Sequence, residues 1–291
     1  DWGPSGETIH RYHDVPLATN GAPMRGKAHF FHQSLSWSRI STSDFSIRFY
    51  GSGFSYDSTA PSIFGKEPDL KLLLGLLNSV VVAHLLHAMS PTLDYRITAL
   101  SRIPLPPSPR DMDLSMIDRL TGLARNDWDT QELSWGYARD PLVDARSSPA
   151  PLAELWARVN EGRDQRVEEA RTLESANNKM FLAAYGLLGE LDYEVRKDQV
   201  ALRENADWQY PTAKSEVERR DASRCDSIVE LVSYAVGCMF GRYSLDVPGL
   251  ILADQGATLQ DYLTKVPQPT FAPDVDNVLP IVDGDWFEDD I

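Results

Sequence analysis

Cysteine is scarce in this chain: there are two among 291 residues, Cys225 and Cys238. Two thiols cannot make a disulfide framework, and a reduced, cytoplasmic setting is the expectation. Long charge-free apolar runs are lacking as well. The longest apolar stretch, residues 70–89, is broken by Lys71, Asn78, Ser79, His84 and His87, whereas a membrane-spanning helix needs about twenty consecutive, predominantly apolar residues. A buried helix and no membrane partner are expected. The first four residues, Asp1-Trp-Gly-Pro4, have neither the basic region nor the apolar run of a signal peptide. The chain starts without methionine and stops after an acidic stretch, which reads as a piece of a longer protein.

Several catalytic signatures are missing too. There is no Walker loop, no Gly-x-Gly-x-x-Gly fingerprint and no Gly-x-Ser-x-Gly elbow. Pro68-Asp69 is not followed by the Glu-x-Lys of a nuclease. The six histidines fall into three pairs at spacing three: His10/His13, His29/His32 and His84/His87. Only the last pair lies in an expected helix, where both rings share a face. The other two read as loop and strand, with rings on opposite sides. A zinc site needs three or four ligands, so packed or solvated histidines are expected and no metal.

Positive charge is also in short supply. The chain has 28 Lys and Arg against 43 Asp and Glu, a net charge of −15. The imbalance is uneven. Residues 1–110 hold ten basic and eight acidic side chains, net +2, and residues 111–291 carry net −17. Any phosphate-facing surface therefore belongs to the first part, and the acidic remainder must point away from it.

What is present reads as an α+β protein. Residues 27–38 alternate, with His29, Phe31, Gln33, Leu35 and Trp37 on one side, which predicts a strand. Residues 45–50 and 54–59 predict two more, separated by the Gly51-Ser-Gly53 turn. Pro68 suits the first turn of a helix over residues 68–88, ended by Ser90-Pro91. Residues 92–103 read as extended, and Pro104, Pro106, Pro107 and Pro109 as a stiff exit. Beyond them a short helix is expected over 112–125, a long amphipathic one over 152–185, about 50 Å in length, and an apolar one over 226–240. The division expected is a small mixed or antiparallel β domain at 1–110 with a connector at 1–26, a mainly helical spacer at 111–250, and an acidic linker at 251–291.

The most informative segment is Ser233-Tyr-Ala-Val-Gly-Cys-Met-Phe-Gly-Arg-Tyr-Ser-Leu-Asp246. By its residues it is a buried helix end or loop with one arginine, Arg242, on a tight backbone, a structural role being favoured over contact with phosphate or an acidic partner, and with Cys238 as a small buried apolar group. In order before it come Ser36-Trp-Ser-Arg-Ile-Ser41, Gly53-Phe-Ser-Tyr-Asp57, Leu76-Leu-Asn-Ser79, Ser90-Pro-Thr-Leu93 and Ile103-Pro-Leu-Pro106; after it comes Pro273-Asp-Val-Asp-Asn-Val-Leu-Pro280, running on to Trp286-Phe-Glu-Asp-Asp290. This series resembles the large adenine-specific DNA methyltransferases of bacteriophage exclusion (BREX) systems, the PglX family.

The resemblance implies a parent that methylates adenine N6 in double-stranded DNA and works with other BREX components. It also implies a target-recognition domain near residues 27–109, a helical support near 111–250, and a catalytic core preceding Asp1. The parent's cofactor would be S-adenosyl-L-methionine. This chain has no Gly-rich loop for it and no Asn/Asp-Pro-Pro-aromatic loop, since Pro106-Pro107 lies between Leu105 and Ser108. The chain is therefore expected to bind no cofactor and to hold no catalytic residue. The resemblance turns the Ser/Thr-rich turn into a candidate DNA surface: Ser38, Arg39, Ser41, Ser43 and Arg48, with Ser36 and Thr42 beside them. Arg96 and Arg102 complete the basic set, expected on one surface. Arginine pairs with guanine O6 and N7 through two bonds, and hydroxyls suit bases or phosphate. Two other readings share these features: a non-enzymatic assembly module that docks partners through its acidic helices, and the specificity part of a type IIG-like restriction-modification enzyme.

Overall fold

The computed structural model describes residues 6–18, 26–89, 92–108, 112–145 and 150–279. The expected helix end at Ser90-Pro91 and most of the acidic terminal stretch lie outside the described residues. The architecture is α+β, with a three-stranded antiparallel sheet and a majority of helices. The chain forms two compact units, residues 1–121 with 173–194, and residues 122–172 with 195–291.

In the first unit the sheet has the order β2-β1-β3. β1 (Ser34–Ser36) is buried throughout and pairs with β2 (Arg48–Tyr50) through Leu35↔Phe49 and with β3 (Ser62–Ile63) through Leu35↔Ile63. Leu35, Trp37 and Ile47 pack with Leu70, Leu76, Val81, Val82 and Leu86 of α2 (Glu67–Leu77) and α3 (Val80–Met89), and with Phe181 and Leu182.

The strands are shorter than the alternation predicts. Lys27–His29 is a 3₁₀ turn and Phe31 adopts a positive φ of 67°, which a strand does not accommodate. His10 lies on a short helix, α1 (Glu7–Tyr12), not in a loop, and His29 lies in the 3₁₀ turn, not in a strand. No strand forms at 54–59. There the Asp57 carboxylate accepts from the Thr59 and Ala60 amides and the Thr59 hydroxyl, and this local turn replaces a ladder. The segment 92–103, expected to be extended, instead holds the helical turn α4 (Ile97–Leu100).

The expected single helix over 68–88 is two helices bent by 69°. Asn78 is the cause. Its side chain accepts from the Ile47 amide at 3.0 Å and donates to the Ile47 and Leu74 carbonyls, both at 3.0 Å. One side chain thus holds the backbone leading into β2 and closes α2. The Val80 amide at the start of α3 donates to the Asn178 side chain, and Asn177 donates to the Gly75 carbonyl. A Cβ on Gly75 would stand 2.9 Å from Ile117 and 3.2 Å from Phe181, so this crossing requires glycine. No single helix among the described residues is long and apolar enough to cross a membrane.

In the second unit, α5 (Ser115–Asp129) ends beside the turn after residue 200; the helix itself begins in the first unit. The Asp127 carboxylate accepts from the Arg203 and Glu204 amides, both at 2.8 Å. Arg166 makes a two-point contact with Glu204, the shortest at 2.6 Å. Arg166 belongs to α7 (Leu152–Tyr185), the long helix, whose bounds are those its pattern predicts. α6 (Pro141–Asp144), α8 (Ala206–Gln209) and α10 (Leu259–Lys265) are short and capped by Asp140, Asn205 and Thr258.

The segment 233–246 is the end of α9 (Glu216–Met239), which begins ten residues earlier than predicted because Ser215 caps it through the Glu218 amide. The helix stops in a Schellman turn. Gly241 takes φ 70°, its amide donates to the Cys238 carbonyl, and the Arg242 amide donates to the Gly237 carbonyl at 2.7 Å. Tyr243 then folds back and stacks on Tyr234 with ring centroids 5.2 Å apart.

Candidate nucleic-acid interface

Trp37 buries its ring in the core and donates its indole N–H to the Tyr95 carbonyl at 2.8 Å. From there two segments run antiparallel: the Tyr95 amide donates to the Arg39 carbonyl, Ile40 bridges to Asp94, and the Ser41 amide donates to the Leu93 carbonyl. The Tyr95 hydroxyl reaches the Ser43 carbonyl, and Phe45 packs against both Trp37 and Tyr95. The polar turn is thereby fastened to the core by aromatic groups.

Arg39 and Arg96 meet on this platform at one carboxylate. Arg39 grips Asp94 with two bonds, Nε to Oδ1 at 2.8 Å and Nη2 to Oδ2 at 3.1 Å. Arg96 donates Nε to Oδ2 at 2.6 Å. The hydrogen bonds from Arg39 and then Arg96 hold the Asp94 carboxyl well below the usual range, and the same contact raises Arg39. Beside them lies a depression of about 290 Å³ lined by Met89, Thr92, Asp94, Arg96, Thr98, Ala99 and Arg102. Arg102 is exposed and makes no ion pair among the described residues.

The basic residues expected on one surface are thus brought together in part. Arg39, Arg96 and Arg102 converge around Asp94. Arg48 does not join them: it donates to the Ile47 carbonyl, and the acid whose charge it meets is Glu174. Ser38 and Ser43 are exposed, and the Ser41 hydroxyl accepts from the Ser43 amide at 3.1 Å. Ser36 is buried and donates to the Pro61 carbonyl, so it presents nothing outward. Sequence reasoning passed over Asp94 itself. A signal was there: it is the only acid in residues 70–110.

Arg242 in the second unit is structural. Its guanidinium donates to Glu132 at 2.7 Å, and the same carboxylate accepts from Ser233 and Tyr243. Burial, then the Glu132 bond, pushes the Tyr243 hydroxyl up to about 12. No group of three or more metal-ligating side chains occurs among the described residues. S-adenosyl-L-methionine finds no fit at the arginine depression. Its donors are guanidinium and threonine hydroxyl groups, which suit an oxyanion rather than a sulfonium, and no glycine among its lining residues lets backbone approach closely.

No family model matches the chain. Two curated proteins do. One is the adenine-specific methyltransferase BrxX of Escherichia coli O9:H4 (strain HS), 26% identical over 296 aligned residues, covering 100% of this chain and 24% of that protein. The other is the adenine-specific methyltransferase PglX of Lacticaseibacillus casei (strain Zhang), 28% identical over 264 residues, covering 89% of this chain and 20% of that protein. The chain spans a quarter or less of the length of these relatives. The resemblance read from the ordered motifs is matched over nearly the whole chain, which is a homologue of the BrxX and PglX adenine-specific methyltransferases.

Proposed function

We propose that this chain is the DNA target-recognition and spacer part of a BREX-type adenine-specific DNA N6-methyltransferase. In this reading residues 1–110 hold the duplex, residues 111–250 support them through the long helix, and residues 251–291 lead onward. Similarity to two adenine-specific methyltransferases along most of the chain carries the reading. The arginine group on an aromatic-anchored platform supports it, because it lies in the only part of the sequence that is not acidic. S-adenosyl-L-methionine and the adenine pocket belong to residues outside this chain, and the target base would be flipped out of the stack to reach them. Other BREX components are the expected protein partners.

The test is a methylome measurement on the intact protein carrying Arg39→Ala, Arg48→Ala, or both. An arginine that reads guanine relaxes the preference at one base by roughly 1–3 kcal/mol when removed. One that only touches phosphate weakens binding about equally on every sequence. An unchanged methylation motif together with unchanged affinity in both variants refutes a DNA role for this turn. The assembly-module reading then takes its place, with its prediction that partner binding maps to the acidic helices.

A further inference from the structure

Around Asp94 the bonds leave part of each arginine unused. Arg96 spends only Nε on Asp94, and its two terminal nitrogens have no acceptor among the described residues. Arg39 spends Nε and Nη2 and is the stronger anchor of the carboxylate. Asp94 is itself fixed from behind: its neighbour Tyr95 is bonded at both backbone ends, and its own amide lies 3.4 Å from the Thr92 hydroxyl. Three guanidinium groups against one carboxylate leave the group with net positive charge. The depression beside it adds the Thr98 hydroxyl and Arg102, which makes no ion pair among the described residues. Two guanidinium forks and a hydroxyl around a small open hollow are a donor set that suits a tetrahedral oxyanion.

We propose that this depression seats one phosphodiester of a DNA backbone, with Arg96 and Arg102 as its donors and Asp94 as the residue that positions Arg96. The proposal deepens the reading above and rests on it. It assigns the seat to register and affinity, not to base selection, since phosphate contacts fix the protein on the duplex without reading sequence. Asp94 has a defined task here. An exposed arginine samples many rotamers, and the bond through Nε restricts Arg96 while both terminal nitrogens keep no acceptor among the described residues. Arg39 keeps Asp94 from swinging with it.

The experiment is an anisotropy titration of a fluorescent duplex with the intact protein at 50 and 200 mM salt, using a site-bearing and a random sequence. Arg96→Ala and Arg102→Ala are each expected to weaken both duplexes equally and to lower the salt slope by about one unit. That removes a factor of about 3.5 from the ratio of affinities at the two salt concentrations. Arg96→Ala is expected to cost less in an Asp94→Asn background than alone, the coupling of a positioning residue; equal costs in both backgrounds overturn that role. An altered base preference with an unchanged slope overturns the seat in favour of base reading. Inorganic phosphate that competes as strongly as the random duplex overturns the backbone assignment in favour of a free-phosphate site. Unchanged slopes for both variants, while Arg39→Ala or Arg48→Ala still weakens binding, sink the seat and spare the broader reading. No effect from any of the four sinks both. A thermal melt of each variant separates loss of contact from loss of fold.

Discussion

Gly237 is the residue on which the most distinctive segment of this chain turns, and replacing it with alanine has two opposed effects of known size. In an open helix the change helps: alanine is favoured over glycine by about 0.8–1.0 kcal/mol. At Gly237 a Cβ would stand 2.6 and 2.9 Å from two carbons of the Tyr243 ring, where contacting carbons prefer about 3.5–4.0 Å. The ring cannot step aside cheaply. It stacks on Tyr234, meets Tyr137 edge-on at 5.5 Å, and donates its hydroxyl to Glu132 at 3.0 Å. Overpacking of this kind costs about 1–3 kcal/mol and, with the stacking and hydrogen bond disturbed, exceeds the propensity gain. Gly237→Ala should lower the melting temperature by up to roughly 9 °C at about 2–4 °C per kcal/mol, with a changed near-ultraviolet tyrosine signal. Gly122→Ala is the control. It too is helical, nothing lies within 4 Å of its Cβ position, and it should leave stability unchanged or raise it. A Gly237→Ala protein that melts at or above the parent, with Gly122→Ala behaving alike, refutes the account of the motif.

Gly241→Ala should also destabilise, by about 1–2 kcal/mol, because φ 70° is left-handed and the Cβ would press within 3.3 Å of Tyr262 and Pro273; chemical denaturation measures it. Burial on α7 raises the Glu174 carboxyl to about 7, with Arg48 opposing the rise. The folded state therefore holds this proton more tightly than the unfolded chain. The resulting stability is fully present below the ordinary glutamate range and is lost as pH rises to about 7, on the order of 1–3 kcal/mol. Glu174→Gln should flatten that part of the profile and melt higher than the parent at pH 8; identical profiles refute it. Arg166→Leu leaves Glu204, whose side chain is 5% exposed, without its two-point partner. It should cost about 3–5 kcal/mol, much of it recovered in an Arg166→Leu, Glu204→Leu double variant. The purified 291-residue chain should neither bind S-adenosyl-L-methionine nor methylate DNA, and methyl transfer by it would overturn the assignment of residues.

The long helix was legible to its end residues because apolar residues recur at three- and four-residue steps from Leu152 to Ala184 with no proline between them. The two-helix bend at Asn78 was not. Hydropathy sees an apolar run from Leu70 to Met89, whereas the bend is made by one amide side chain that meets a backbone thirty-one residues earlier in the chain. The β region failed for a related reason. Alternation records which side chains could share a face, but a strand exists only where a neighbour supplies hydrogen bonds. Leu35 has neighbours on both sides; residues 54–59 have an Asp57 turn instead. At the candidate interface, the family resemblance together with residue type and charge singled out Arg39, Arg96 and Arg102 as candidates. They did not find Asp94, because an acid in a search for phosphate donors looks like a defect until its bonds are seen.

The same contrast explains how a chain of net charge −15 can offer a surface to DNA. Net charge governs the far field, which falls off within about 10 Å at ordinary ionic strength. Contact is governed by the groups within hydrogen-bonding reach. Several acids of the second unit are bonded within it: Glu132 to Arg242, Ser233 and Tyr243, Asp164 to Lys197, Glu204 to Arg166, and Asp127 to two backbone amides. The one acid at the arginine group is outnumbered there, and its bonds hold Arg39 and Arg96 while the two terminal nitrogens of Arg96 keep no acceptor among the described residues. In the proposed reading the far field would repel polyanions at a distance, and a duplex of any sequence would be held by the few contacts at this surface. That predicts a DNA affinity that is weak on random sequence and gains little from lowering the salt beyond the few contacts at this surface. A steep salt slope, of the size expected for many phosphate contacts, would place the duplex on residues outside this chain.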